Sequence, residues 1–267
     1  MSDTRPIGIF DSGIGGLTVA HAIRRLLPQE SILYFGDTAH LPYGDKSEAA
    51  IQAYSVKIAD FLHRQGCKLI VIACNSASSA AYELLKEYIR KIKIINVIDP
   101  MIEWVSRHYA GKAVGLIGTR RTVQSGVYAR KLEATGKNIK LHALATPLLA
   151  PMIEEGFFNN RISHDIIAGY LMAPELKNID ALILGCTHYP LIKNEITSFY
   201  EGTTAILDSS EMVAHAVAEY LHQHNLLNRE SPLPDRFLVS DYTEAFETST
   251  RIFFGRQVKL EEQSLWE

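Results

Sequence analysis

Two cysteines stand at the ends of short apolar runs, each followed at once by small polar residues. Lys68-Leu-Ile-Val-Ile-Ala-Cys-Asn-Ser-Ala-Ser78 is apolar from Leu69 to Ala73 and stops at Cys74. Asp180-Ala-Leu-Ile-Leu-Gly-Cys-Thr-His-Tyr-Pro190 does the same at Cys186, with Thr187 and His188 behind it. Two thiols facing one cavity could do one of three things. They could hold a metal, with His188 and His40 completing a Cys2His set, although Cys186 and His188 do not follow the common zinc spacings. They could form a redox pair, for which a Cys-X-X-Cys motif is more natural. Or they could be a matched base and acid on opposite faces of one carbon. A thiolate would then remove a proton from one side while a thiol supplies one from the other, which inverts a stereocentre. An amino acid's α-proton is weakly acidic, and a cysteine, with an ordinary pKa near 8.5 that its surroundings move by several units, suits that task. No lysine stands in a recognisable Schiff-base context, so a pyridoxal cofactor is not implied.

Chemistry of this kind needs elements that carry the thiols to one place. Each run is short and wholly apolar, which reads as a parallel strand covered on both faces. Cys74 then sits at a strand's carboxyl end beside a helix N-terminus, capped by Asn75 or Ser76. Ligands bind at such ends in open α/β sheets, and free N–H groups there attract an anion and are expected to lower a thiol's pKa. The same placement is expected for Cys186. Cys67, the third cysteine, reads as a small buried hydrophobe with no role.

Earlier in the chain, Ile7 to Phe10 reads as a buried strand ending in Asp11-Ser-Gly-Ile-Gly-Gly16, with a helix from about Leu17 to Leu27. The turn is not a dinucleotide fingerprint, because its third glycine would fall at Thr18. Ser31 to Phe35 is a second strand, and the polar stretch Gly36 to Gly44 is a long loop of the kind that often carries function. Helices are expected at about 47–65 and 76–91, with a fourth strand at Ile94 to Val97. Asp99-Pro100 marks a boundary. A second series comes after it: a helix at about 101–109, strands at 113–117, 139–143 and 205–207 beside the Cys186 run, and helices at about 163–172 and 211–224. A connecting loop, a strand at 237–240, a helix to Phe254 and a strand at 258–260 finish the chain. Gly8 and Gly115 recur at nearly the spacing of Cys74 and Cys186, which suggests two related α/β units. Strand–helix alternation makes each a mainly parallel sheet flanked by helices.

Composition narrows the classes. The chain has 267 residues, 47% hydrophobic, with formal net charge −3 and a pI of about 6.4. Without a basic stripe, nucleic acid is not an expected partner. No run approaches the roughly 18–20 apolar residues of a membrane span, and the N-terminus has no export pattern. Three sparse cysteines suit a reducing compartment, so a cytoplasmic protein is expected.

Four stretches together resemble the signatures of the glutamate racemase family: Phe10-Asp-Ser-Gly-Ile-Gly-Gly-Leu-Thr-Val19, Phe35-Gly-Asp-Thr-Ala-His-Leu-Pro-Tyr-Gly44, Ala73-Cys-Asn-Ser-Ala-Ser78 and Gly185-Cys-Thr-His-Tyr-Pro190. Their order and spacing match from about Pro6 to the end. The resemblance implies cofactor-independent, metal-free interconversion of L- and D-glutamate for peptidoglycan synthesis, often in a homodimer. It implies two pseudosymmetric α/β domains, 1–97 plus 210–267 and 98–209, with the active site in the cleft between them. Carried over by position, Cys74 and Cys186 are the acid/base thiols, Asp11 assists Cys74 or orients the amino group, and His188 assists Cys186. Ser12, Tyr43, Gly44, Asn75, Ser76 and Thr187 join Asp11 and His188 in binding substrate; Thr119 and Thr122 are weaker contacts and Glu154 a support. Asp11 alone would read as a helix cap, and His188 alone as a structural histidine. Ser76 stands where the family usually has threonine, which keeps the hydroxyl and loses a methyl. The few residues before Ile7 are not the N-terminal extension of members activated by a cell-wall precursor, so that regulation is not expected.

Overall fold

The computed structural model describes residues 2–266. β1 (Ile7–Asp11), buried along its length, leads through the glycine-rich turn into α1 (Leu17–Leu26), which buries Leu17, Ala20 and Ile23 on one face. After β2 (Ile32–Gly36), the loop to residue 44 contains 3₁₀ turns at Thr38–His40 and Tyr43–Asp45. α2 (Glu48–Arg64) starts where the Ser47 hydroxyl accepts from the Ala50 N–H. β3 (Leu69–Ile72), α3 (Asn75–Tyr88) and β4 (Lys93–Asn96) come next. α4 (Asp99–His108) then carries the chain across to a second sheet. Pro100 lies in the first turn of α4, where its missing N–H removes no helical bond, so Asp99-Pro100 opens a helix rather than interrupting the pattern.

The second series comprises β5 (Ala113–Gly118), α5 (Arg120–Gln124), α6 (Val127–Ala134), β6 (Lys140–Ala145), α7 (Leu149–Glu154), α8 (Arg161–Leu171), β7 (Ala181–Gly185), α9 (Lys193–Phe199) and β8 (Ala205–Asp208). α10 (Ser209–Gln223), capped by Asp208 as its sequence suggests, returns the chain to the first sheet. β9 (Arg236–Val239), α11 (Glu244–Phe254) and β10 (Leu260–Glu262) complete it.

One sheet has the order β10-β9-β2-β1-β3-β4 and the other β6-β5-β7-β8. Every pairing among the described residues is parallel. The fold is thus the mainly parallel, helix-flanked α/β architecture expected. The order β2-β1-β3-β4 in one sheet is the order β6-β5-β7-β8 in the other, so β1 corresponds to β5 and β3 to β7. Packing repeats with it. A Cβ on Gly8 would meet the Cys67 sulfur at 2.9 Å, and one on Gly115 would meet Ile179 Cδ1 at 2.7 Å. The offset from Cys67 to Ile179 equals that from Cys74 to Cys186. Cys67 therefore fills, in the first sheet, the space that an isoleucine fills in the second. Burial pushes its thiol up to about 12, away from reactivity.

One apolar cluster runs through both halves, from Ile7 and Val71 through Ile98, Met101 and Val105 of the crossover to Leu116 and Ile183. The carboxyl edges of the two sheets face each other. Hydrogen bonds cross between them, among them Ser76 Oγ with Thr119 Oγ1 at 2.9 Å, Tyr128 Oη to Asn75 Oδ1 at 2.8 Å, Thr18 Oγ1 to the Thr187 carbonyl at 3.0 Å, and Arg120 and Arg121 of α5 to Asp45 and Glu48. Among the described residues no helix is long and apolar enough to cross a membrane.

Candidate active site

Cys74 lies just past β3 and is itself the N-cap of α3. Its sulfur accepts from the Ala77 N–H at 3.4 Å, so neither Asn75 nor Ser76 caps that helix. Ser12 Oγ lies 3.7 Å from the same sulfur. Asp11, at the end of β1, is fully buried. Its Oδ2 accepts from the Gly16 N–H at 2.6 Å, steadying the start of α1, while Oδ1 has no partner among the described residues. The Cys74 thiol is pushed up, by burial first and then by the Asp11 charge; the Ala77 N–H and Ser12 pull the other way and lose. This corrects the expectation of a lowered thiol. A helix N-terminus offers partial positive charge, but burial strips the solvation a thiolate needs and the Asp11 carboxylate then adds a whole negative charge.

Cys186 lies just past β7, yet no α-helix opens there. The chain makes a turn and a 3₁₀ segment at Tyr189–Ile192, and α9 begins only at Lys193. Pro190 occupies that 3₁₀ turn. The partner of this thiol is instead a side chain: His188 Nδ1 lies 3.5 Å from the Cys186 sulfur, and His188 Nε2 lies 2.8 Å from Glu154 Oε1 at the end of α7. Burial disfavours a charged imidazole here. The Cys186 sulfur and Glu154 outweigh it together and hold the pKa of His188 well above its ordinary value.

The first half of the molecule reaches over to hold this imidazole. Phe253 of α11 meets it edge-on, with ring centroids 5.3 Å apart. A Cβ on Gly15 would stand 2.3 Å from His188 Cε1, so only glycine lets the α1 turn come this close.

The remaining expected residues are placed as follows. Asn75 is buried, with Oδ1 bonded to Tyr128 and Nδ2 unpartnered among the described residues. Thr119 caps α5 through a bond from the Thr122 N–H and also donates to Thr122 Oγ1. The Gly44 backbone lies against the Thr119 side chain. Tyr43 is buried and donates to Asp37 Oδ2 at 2.6 Å; Asp37 also accepts from Ser240 Oγ at 2.8 Å. Thr187 is buried beside Gly15, its carbonyl taken by Thr18. His40 is not grouped with the thiols. It lies 2.9 Å from Asp37 Oδ1 and packs on Tyr54 and Trp266. Among the described residues no three His, Cys, Asp or Glu side chains gather as a metal site, and the three cysteines are unpaired.

Asp37 stands in the polar 36–44 loop, so the sequence carried a signal for it. Tyr128 and Phe253 come from distant helices with no local pattern to mark them.

The charge on Cys186 contributes to holding the Cys74 thiol up, so the two sulfurs share one electrostatic neighbourhood. Around them are a buried carboxylate oxygen without a donor and a buried amide nitrogen without an acceptor, among the described residues. These complement an ammonium and a carboxylate. A profile of the family described as Asp/Glu/Hydantoin racemase matches residues 17–217. Glutamate racemase of Thermus thermophilus is 43% identical over 262 residues, 96% of this chain and 97% of the relative. The crystal structure of glutamate racemase from Francisella tularensis in complex with D-glutamate is 38% identical, covers 98% of each chain and superposes with a TM-score of 0.93. That of the Thermus thermophilus enzyme with beta-chloro-D-alanine is 42% identical over 99% of each chain, with a TM-score of 0.89. With two strand-end thiols in corresponding places of a repeated sheet, the chain belongs to the Asp/Glu/Hydantoin racemase family, among its glutamate racemases.

Proposed function

We propose that this chain is an isomerase interconverting L- and D-glutamate, with Cys74 and Cys186 as the two acid/base groups. One sulfur, as thiolate, takes the α-proton of glutamate. The carbanion electrons remain on the carbon until the opposite thiol delivers its proton to the other face. The product leaves with inverted configuration, and the two sulfurs have exchanged protonation states. The reverse reaction runs through the same groups with roles exchanged. Asp11 Oδ1 receives the substrate ammonium, whose positive charge offsets the carboxylate that holds the Cys74 thiol up. Asn75 Nδ2 and the hydroxyls of Ser12, Ser76, Thr119, Thr122 and Thr187 receive the carboxylates, with the main chain at Tyr43 and Gly44. His188, oriented by Glu154, keeps a positive charge beside Cys186.

The observation that carries this reading is the pairing of two strand-end thiols with different partners, Asp11 and Ser12 on one side and His188 on the other. The D-glutamate held by the Francisella relative supports the choice of substrate. We assign 1–97 plus 210–267 to one domain and 98–209 to the other, following the membership of the two sheets. We further assign the D-glutamate product to peptidoglycan synthesis in the cytoplasm, where unpaired thiols persist, and the working form to a homodimer.

Circular dichroism of L-glutamate with the purified protein tests the reaction. The signal is expected to decay to zero without added pyridoxal phosphate or metal, and a constant signal would overturn it. A panel including aspartate and hydantoins tests the substrate.

A further inference from the structure

Asn75 is the first residue of α3, on the first half, and is 3% exposed. Its amide is held from the other half. Tyr128 of α6, 1% exposed, donates its hydroxyl to Asn75 Oδ1 at 2.8 Å. This leaves Nδ2 buried and without an acceptor among the described residues. A primary amide can rotate so that its oxygen and nitrogen exchange places. In the rotated form the carbonyl would stand where Nδ2 now stands and would repel a carboxylate placed there. A phenol can donate to Oδ1 or accept from Nδ2, and here it donates to Oδ1. Burial first, with the charges of Asp99 and Cys186 nearby, keeps Tyr128 protonated and therefore able to donate. With the Tyr128 O–H given to Oδ1, Nδ2 is the amide atom left to pair with something else.

We infer that Tyr128 is a positioning residue for carboxylate recognition, acting across the cleft by fixing the Asn75 amide with its N–H groups toward the substrate. Tyr128 need not touch glutamate. Because the bond joins the two halves, the carboxylate donor is set only when the halves meet. The inference rests on the glutamate racemase reading, and its failure is separable from failure of that reading.

Steady-state kinetics of Tyr128→Phe with L- and D-glutamate test it. Phenylalanine keeps the ring and removes only the donor, so thermal melting checks that the fold is intact. A lost orienting hydrogen bond acts on ground and transition states alike. KM is therefore expected to rise about five- to tenfold for both enantiomers, with kcat within about twofold. The same substitution in an Asn75→Ala background should add nothing, because the amide it orients is gone. Where turnover of the double variant is too slow, glutamate binding by calorimetry gives the same comparison. An unchanged KM, an equal KM rise in the Asn75→Ala background, or a fall in kcat at constant KM would overturn the inference. A wild-type protein that does not racemise glutamate overturns the functional reading and this inference with it. Wild-type activity with an indifferent Tyr128→Phe overturns this inference alone.

Discussion

The two half-sites share a frame and differ in charge. Cys74 and Cys186 end corresponding strands, β3 and β7, of sheets with the same strand order. One sulfur caps a helix and lies near a buried carboxylate, Asp11. The other precedes a 3₁₀ turn and faces an imidazole that Glu154 helps to keep protonated. Duplication of a fold thus accounts for a thiol at the end of each corresponding strand but not for the different surroundings of the two. Those come from residues the two halves do not share. Inversion by two groups needs one without a proton while the other holds one, and unlike electrostatic surroundings suit that task.

Removing either thiol should break the comparison most severely. Cys74→Ser and Cys186→Ser are each expected to lower kcat about 10³-fold, since a serine hydroxyl is far too weak an acid to share the proton relay. Racemisation by circular dichroism measures this, and full activity in either variant would remove that sulfur from the mechanism.

Next come the partners, where the halves should part company. Asp11→Asn and His188→Asn are each expected to cost about 10²-fold in kcat/KM. Only Asp11→Asn should lower the titration of Cys74, monitored by thiolate absorbance in a background lacking the other two cysteines. Linkage sets the sign for stability. A raised thiol pKa means that the folded chain keeps a proton the unfolded chain has released above about pH 8.5. This contribution to stability is complete below that pH and is lost as pH rises toward the folded value. Melting at pH 7 and pH 10 should show a smaller drop in Asp11→Asn than in wild type.

A smaller effect is expected where the first half grips the second. Gly15→Ala places a methyl against His188, and overpacking of this kind costs about 1–3 kcal/mol. The expected result is a loss of about tenfold in kcat/KM, with the Cys74 titration unmoved. Smallest is Glu154→Gln, which keeps the hydrogen bond to His188 and removes a charge. The pKa of His188 should fall, so activity that needs the protonated imidazole disappears at lower pH than in wild type. A pH profile of kcat/KM reads that shift, with a few-fold loss at neutral pH.

The strands, their parallel pairing and both thiols were legible because each depends on a short local pattern: an apolar run and a polar stop. The repeat was legible in Gly8 and Gly115, since each glycine makes room for a packed neighbour, Cys67 at the first and Ile179 with Leu182 at the second. The backbone path beyond Cys186 was not legible. Thr187 and His188 look like a helix start, but the chain turns through a 3₁₀ segment containing Pro190 before α9 begins. The direction of the Cys74 shift was hidden because it is set first by burial and then by the Asp11 charge, which arrives from another strand. Tyr128, Phe253 and the pairing of Glu154 with His188 depend on how separate elements pack, and no spacing along the chain encodes that.

Solvent deuterium tests the two-thiol claim most directly. L-glutamate is incubated with the wild-type protein in deuterium oxide, and both enantiomers are recovered early, before much conversion. With a separate acid on the far face, D-glutamate should carry deuterium at Cα while the remaining L-glutamate keeps protium. Protium passed intact into D-glutamate, or deuterium appearing equally fast in both enantiomers, would mean that one group serves both faces and would contradict the opposed-thiol mechanism.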